Sequence, residues 1–99
     1  MFIVVSHHHC RPGQNAAAAE RVDKNGAGMS SEPGFLYRYR IENAAKPDVV
    51  STLTAWNAEG DYQRFREKRG AGPDMSSMPW HRIEGESYEV RSSHGAPPK

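Results

Sequence analysis

Residues 35–56 decide the fold. They read Phe35-Leu36-Tyr37-Arg38-Tyr39-Arg40-Ile41, then Glu42 to Asp48, then Val49-Val50-Ser51-Thr52-Leu53-Thr54-Ala55-Trp56. The first run alternates. Phe35, Tyr37, Tyr39 and Ile41 fall on one side of an extended chain, and Leu36, Arg38 and Arg40 on the other. That pattern predicts a strand with one firmly buried side. The last run is rich in β-branched residues and predicts a second strand. Asn43 to Pro47 supply turn residues between them, so the two strands are expected to pair antiparallel.

Upstream, Phe2-Ile3-Val4-Val5 is short and apolar, and predicts a buried strand reaching about His9. Pro12-Gly13 ends it. A helix is expected from Gln14 or Asn15, through Ala16 to Ala19 and on to Lys24. Gly26 and Gly28 weaken its far end, which is expected to fray before Met29. Downstream, Asn57 is a candidate N-cap for a helix over 58–68. Tyr62 and Phe65 fall at i, i+3 on one face of it. Gly70, Gly72 and Pro73 end this helix, and 74–79 reads as a loop. A fourth strand is expected within 82–92, with Tyr88 and Val90 on one face. The last residues offer almost nothing to bury. The expected organisation is one domain over 1–93 and a disordered tail over 94–99.

The order is β-α-β-β-α-β, the ferredoxin-like α+β arrangement. It predicts a four-stranded antiparallel sheet with helices on one face. Two short helices leave the other face bare. Only 36% of the 99 residues are hydrophobic, so the chain has little of its own to cover it. A second copy of the sheet would do so, and a homodimer is expected.

Composition excludes several classes. The formal net charge is +1, with 13 basic and 12 acidic side chains, so nothing draws the chain to nucleic acid or an anionic membrane. Cys10 is the only cysteine, which forbids an internal disulfide. No apolar run approaches the roughly 18 residues of a membrane span. Met1 to Val5 is too short for a signal peptide. A cytoplasmic location is the expectation. There is no phosphate loop, dinucleotide fingerprint or zinc-finger spacing.

Three segments carry a resemblance. They are a first strand ending at Pro12-Gly13, Glu32-Pro33-Gly34-Phe35-Leu36 leading into the second strand, and Leu53-Thr54-Ala55-Trp56-Asn57-Ala58-Glu59. Together, over residues 1 to about 90, they resemble the antibiotic biosynthesis monooxygenase superfamily of dimeric α+β barrels. The resemblance implies that fold and a dimer. It also implies kinship with cofactor-free monooxygenases that turn aromatic phenols or anthrones into quinones, and with haem degraders. The haem degraders carry an Asn on strand one, and a Trp and His on or after the second helix. Here strand one offers His7 to His9, the second helix offers Phe65, and no histidine lies between His9 and His81.

The candidate chemistry centres on His7-His8-His9-Cys10. On a strand, His7 and His9 point one way and His8 the other. Histidine titrates near neutrality, so His7 or His9 is the expected base for an acidic aromatic substrate. The competing reading is ordinary hydrogen-bonded histidines at a strand end or interface. His7 and His9 with Cys10 also suggest a metal, but a third and fourth ligand are missing, and none is expected. A His-activated Cys10 thiolate lacks any oxyanion-hole motif. Trp56, Tyr62, Phe65 and Trp80 are the expected substrate wall. The two indoles also carry N–H groups that can orient an oxygen. Arg38 is a candidate partner for an oxyanion. Arg38 and Arg40 alternatively pair with acids such as Glu84 or Glu86.

The leading expectation, resting on the resemblance, is a cofactor-independent monooxygenase of a small aromatic or polyketide-like compound, with no cofactor and no metal. The alternative is a non-catalytic dimeric barrel that binds a small ligand. An isomerase or decarboxylase using the same base is a third reading.

Overall fold

A computed structural model of the chain describes residues 1–95. The elements are β1 (Phe2–Cys10), α1 (Asn15–Met29), β2 (Phe35–Glu42), β3 (Val49–Trp56), α2 (Glu59–Arg69), a single 3₁₀ turn (Met75–Ser77) and β4 (Trp80–Glu89). The sheet order is β2-β3-β1-β4, antiparallel throughout. This is the expected β-α-β-β-α-β arrangement. Residues 91–95 are exposed and in no helix or strand, and residues 96–99 of the expected tail lie outside the described residues.

The register assigns the two faces. Phe2 pairs with Trp56, Val4 with Thr54 and His8 with Val50. Phe2, Val4, His8 and Cys10 are buried, so the even positions of β1 face the helices. Two clusters form there. Cys10 packs with Ala18 and Val22 of α1 and with Val50, Met78 and Trp80. Phe2, Val4 and Trp56 pack with Met29, Phe35, Tyr62 and Phe65. Burial of apolar area drives both. α1 contributes only Ala18 and Val22 fully, and α2 contributes no fully buried residue. The large aromatic Trp56, at 0% exposure, therefore carries much of the layer.

α1 does not fray before Met29. It runs through Gly26 and Gly28 to Met29, whose side chain packs on the Trp56 cluster. Tertiary contact here outweighs the roughly 1 kcal/mol that each helical glycine costs. Ala58, not Asn57, is the N-cap of α2. The Asn57 backbone N–H donates to Gly34 O at 2.8 Å. β4 starts earlier than expected, at Trp80, and ends before Val90.

The alternation of β2 is broken. Phe35 pairs with Trp56 and Tyr37 with Ala55, which leaves Leu36 as an extra residue. This bulge turns Phe35 to the helix face, where it meets Trp56 edge-on at 5.8 Å. Tyr37, Tyr39 and Ile41 stay on the opposite face. The expected firmly buried side is therefore divided, and Tyr39 and Ile41 are each 39% exposed. The other expectation for this strand is also corrected. Arg40 binds Asp23 at 3.0 Å and Glu42, while Glu84 and Glu86 bind histidines.

The segment Pro33-Gly34-Phe35 has a physical role. Gly34 has φ +83°, and a Cβ there would lie 2.2 Å from the Asp61 carboxyl carbon. Glycine thus permits both the left-handed turn and the close approach of α2.

Candidate active site in the helix layer

Strand parity divides the histidines. His8 lies under the helices; His7 and His9 lie on the open face of the sheet. The His8 ring meets Trp80 edge-on, with centroids 4.5 Å apart. Its Nδ1 is 3.1 Å from Val50 O. A carbonyl can only accept, so Nδ1 carries the hydrogen and donates it. Burial holds the His8 pKa below its ordinary value, the Val50 bond opposes this, and the Arg38 charge adds to the lowering. A neutral imidazole with its hydrogen fixed on Nδ1 leaves the Nε2 lone pair as a proton acceptor.

Other expected site residues share this layer. Trp56 and Trp80 are buried, and neither indole N–H has a hydrogen-bond partner among the described residues. Buried donors usually find one, yet these two lie apart, Trp56 beside Phe2 at one end of β1 and Trp80 beside Cys10 at the other. Tyr62 lies 5.9 Å from Trp56 and Phe65 lies 5.4 Å from it, centroid to centroid. Arg38 lies between the two clusters. Its guanidinium donates to Val22 O at 3.2 Å and contacts Met29 Sδ at 3.0 Å. Burial lowers its pKa from the ordinary value, while Asp23 partly restores it.

His7 and His9, the expected bases, lie on the opposite face of the sheet from this aromatic wall. Within one chain the sheet separates them from Trp56, Tyr62, Phe65 and Trp80. On the open face, His7 Nδ1 is 2.7 Å from Ser51 Oγ, and its Nε2 is 2.6 Å from Glu86. His9 Nε2 is 2.5 Å from Glu84, which also accepts from Arg82 at 2.8 Å. The Glu84 carboxyl is held below its ordinary pKa by His9 first and then Arg82. The Glu86 carboxyl is held low by Tyr88 first and then His7. His7, His9, Ser51, Glu84 and Glu86 line an open cleft of about 490 Å³, together with Ile41, Lys46 and Val49. Among the described residues no three His, Cys, Asp or Glu side chains converge as a metal site. The Cys10 thiol is pushed up by burial, which keeps it in its unreactive form.

Sequence reasoning passed over His8. The available signal was parity: the even positions of β1 carry Phe2, Val4 and Cys10. The odd positions carry Ile3 and Val5, equally apolar, so the helix-facing side could not be told from β1 alone.

The chain belongs to the antibiotic biosynthesis monooxygenase family, whose model matches residues 1–71. Solved structures agree in fold. The haem degrader MhuD from Mycobacterium tuberculosis, with two haems bound in its active site, is 12% identical, with a TM-score of 0.77. The match covers 96% of this chain and 100% of that one. SnoaB, a cofactor-independent oxygenase from Streptomyces nogalater, is 13% identical with a TM-score of 0.71, covering 93% and 94% of the two chains. A conserved protein from Methanosarcina mazei is 16% identical with a TM-score of 0.73, covering 91% and 92%. No functionally curated protein matches the sequence significantly. Among the described residues, no helix is long and apolar enough to cross a membrane.

Proposed function

We propose that the chain is a cofactor-independent monooxygenase of a small aromatic substrate, with His8 as the base. The observation that carries this is the His8–Val50 hydrogen bond. It fixes a neutral imidazole, with Nε2 free to accept a proton, in the same layer as Arg38 and two unpartnered indole N–H groups. An anthrone-type methylene gives its proton to Nε2. The resulting carbanion supplies electrons to O2. One oxygen atom ends in the new carbonyl and the other leaves as water. Trp80, whose ring meets His8, offers its indole N–H to the substrate oxygen, and the Arg38 charge offsets the negative charge that grows there as the proton leaves. Tyr62 and Phe65 complete the apolar wall. The family and the named function of SnoaB support this reaction class.

α2 is the element that can yield to a substrate. It has no fully buried residue and is held through Tyr62 and Phe65. We assign the open sheet face to a second copy of the chain. Tyr39, Ile41 and Tyr88 stand exposed there, and a facing sheet would cover them.

One observation favours the alternative of a ligand-binding barrel without turnover. The clefts at the surface lie elsewhere, one of about 330 Å³ between α1 and the β2–β3 turn and the other on the open face. Oxygen consumption by metal-stripped protein against a panel of anthrones and hydroquinones separates the readings. Uptake above a chelator-treated, protein-free blank supports the monooxygenase. No uptake with a ligand-induced rise in melting temperature supports the barrel.

A further inference from the structure

The open face of the sheet sets apolar and charged residues in the same rows. Tyr39 pairs with Leu53, Leu53 with Val5, and Val5 with Glu86. The next row runs Ile41, Ser51, His7, Glu84. A sheet laid along these rows to cover Tyr39 and Ile41 lies over His7 and its carboxylates as well. In the single chain water still reaches them, His7 being 34% exposed and Glu86 48%.

The two histidines differ in counter-charge. His9 and Arg82 both reach Glu84, at 2.5 and 2.8 Å, and the His81 ring lies 6.3 Å from His9. Arg82 is a permanent cation, so Glu84 is compensated with His9 neutral. Glu86 has no such cation in contact among the described residues. It accepts from the Tyr88 hydroxyl at 2.9 Å and lies 2.6 Å from His7 Nε2. Tyr88 and then His7 hold its carboxyl below the ordinary value, so it is ionised near neutrality. His7 also faces Ser51 Oγ on β3 at 2.7 Å and Glu84, its register partner on β4. Lys46 and Glu42 line the same cleft and add one charge of each sign. With both histidines neutral, Arg82 stands against Glu84 and Glu86, one net negative charge. A proton on His7 brings that sum to zero. The Ser51 hydroxyl can donate to His7 or accept from it, so either state of the ring fits the geometry.

We infer that the open face closes on a second copy of the chain with uptake of one proton at His7 in each subunit, so that the dimer tightens as pH falls through neutrality. This rests on the assignment of that face to a second copy. A face whose charges cancel among its own residues fits a copy of itself, and it offers a partner of opposite net charge nothing to match. Closing the face takes Glu86 out of water. A desolvated carboxylate needs a counter-charge, and protonated His7 is the one in reach. The dimer then binds more protons than two separate chains, so its affinity falls as pH rises. His8 acts in the opposite direction, because its burial favours the neutral ring, and it cannot produce this trend.

The test measures the dimer dissociation constant of the full chain by sedimentation equilibrium at pH 8.0 and 6.0. At pH 6.0 it is expected to be at least about tenfold lower. Dilution calorimetry in two buffers of different ionisation enthalpy should count about two protons taken up per dimer. Glu86→Gln, which needs no counter-charge, should dimerise equally at both pH values, whereas His9→Gln should keep the wild-type trend. A wild-type dissociation constant within about threefold at the two pH values overturns the inference. So does a trend that survives Glu86→Gln or is lost in His9→Gln. A pH-indifferent dimer defeats this inference alone, while a monomer at both pH values defeats the facing-sheet assignment and the inference with it.

Discussion

The imidazole of His8 on β1 donates its Nδ1 hydrogen to the carbonyl of Val50 on β3 across 3.1 Å, beneath the helices. The burial of this ring has a consequence for pH. Burial lowers the folded-state pKa of His8 below its ordinary value of 6.5, so between those two values the unfolded chain binds more protons than the folded one. Stability is full above about pH 6.5 and falls as pH drops toward the lowered pKa. Thermal unfolding at pH 7.5 and 5.5 should show a drop in wild type that His8→Gln reduces. An equal drop in both proteins contradicts the buried neutral histidine.

The same lowering shapes the rate. A base with a depressed pKa stays unprotonated into mild acid, so the acid limb of kcat/KM should have its midpoint below 6.5. A midpoint at or above 6.5 would assign proton transfer to a group other than His8.

Gly34 joins the β2 approach to α2. At φ +83°, with the Asp61 carboxyl pressed against it, Gly34→Ala should cost about 1–3 kcal/mol in a denaturant titration. A change within a few tenths of a kcal/mol would show that the turn is not constrained by α2.

Trp80→Phe separates packing from function. The indole N–H has no partner among the described residues, so its removal leaves no broken hydrogen bond. The lost ring area and the relieved buried donor oppose each other, and stability should change by no more than about 1–2 kcal/mol. Substrate turnover should fall by more than tenfold. Unchanged kinetics would show that the indole N–H meets no substrate.

The open face predicts association. Sedimentation should give a dimer, and the double change Ile41→Asp with Tyr88→Asp should shift it to monomer with the helical signal preserved. A wild-type monomer at high micromolar concentration would refute the facing-sheet arrangement.

Much of this architecture was legible in the sequence, because its signals are local. The β2–β3 pair is bounded by turn residues, Ala16 to Ala19 favour helix, and Pro33-Gly34 marks a turn whose positive φ only glycine meets easily. The site was less legible because it depends on parity and one inserted residue. Ile3 and Val5 are as apolar as Phe2 and Val4, so β1 alone does not say which histidine lies under the helices. The Leu36 bulge reverses Phe35, and its cause is the fit of that ring to Trp56, a contact between distant positions. Arg40 pairs with Asp23 because α1 crosses β2, which no spacing within β2 reveals.

The most direct test compares oxygen uptake by metal-stripped wild type, His8→Gln, and the double variant His7→Gln with His9→Gln, on an anthrone that the wild type turns over. A loss of about 100-fold or more is expected in His8→Gln, the scale of a removed general base, with the double variant within a few-fold of wild type. Loss in the double variant with His8→Gln active would contradict it and move the reaction to the open face of the sheet.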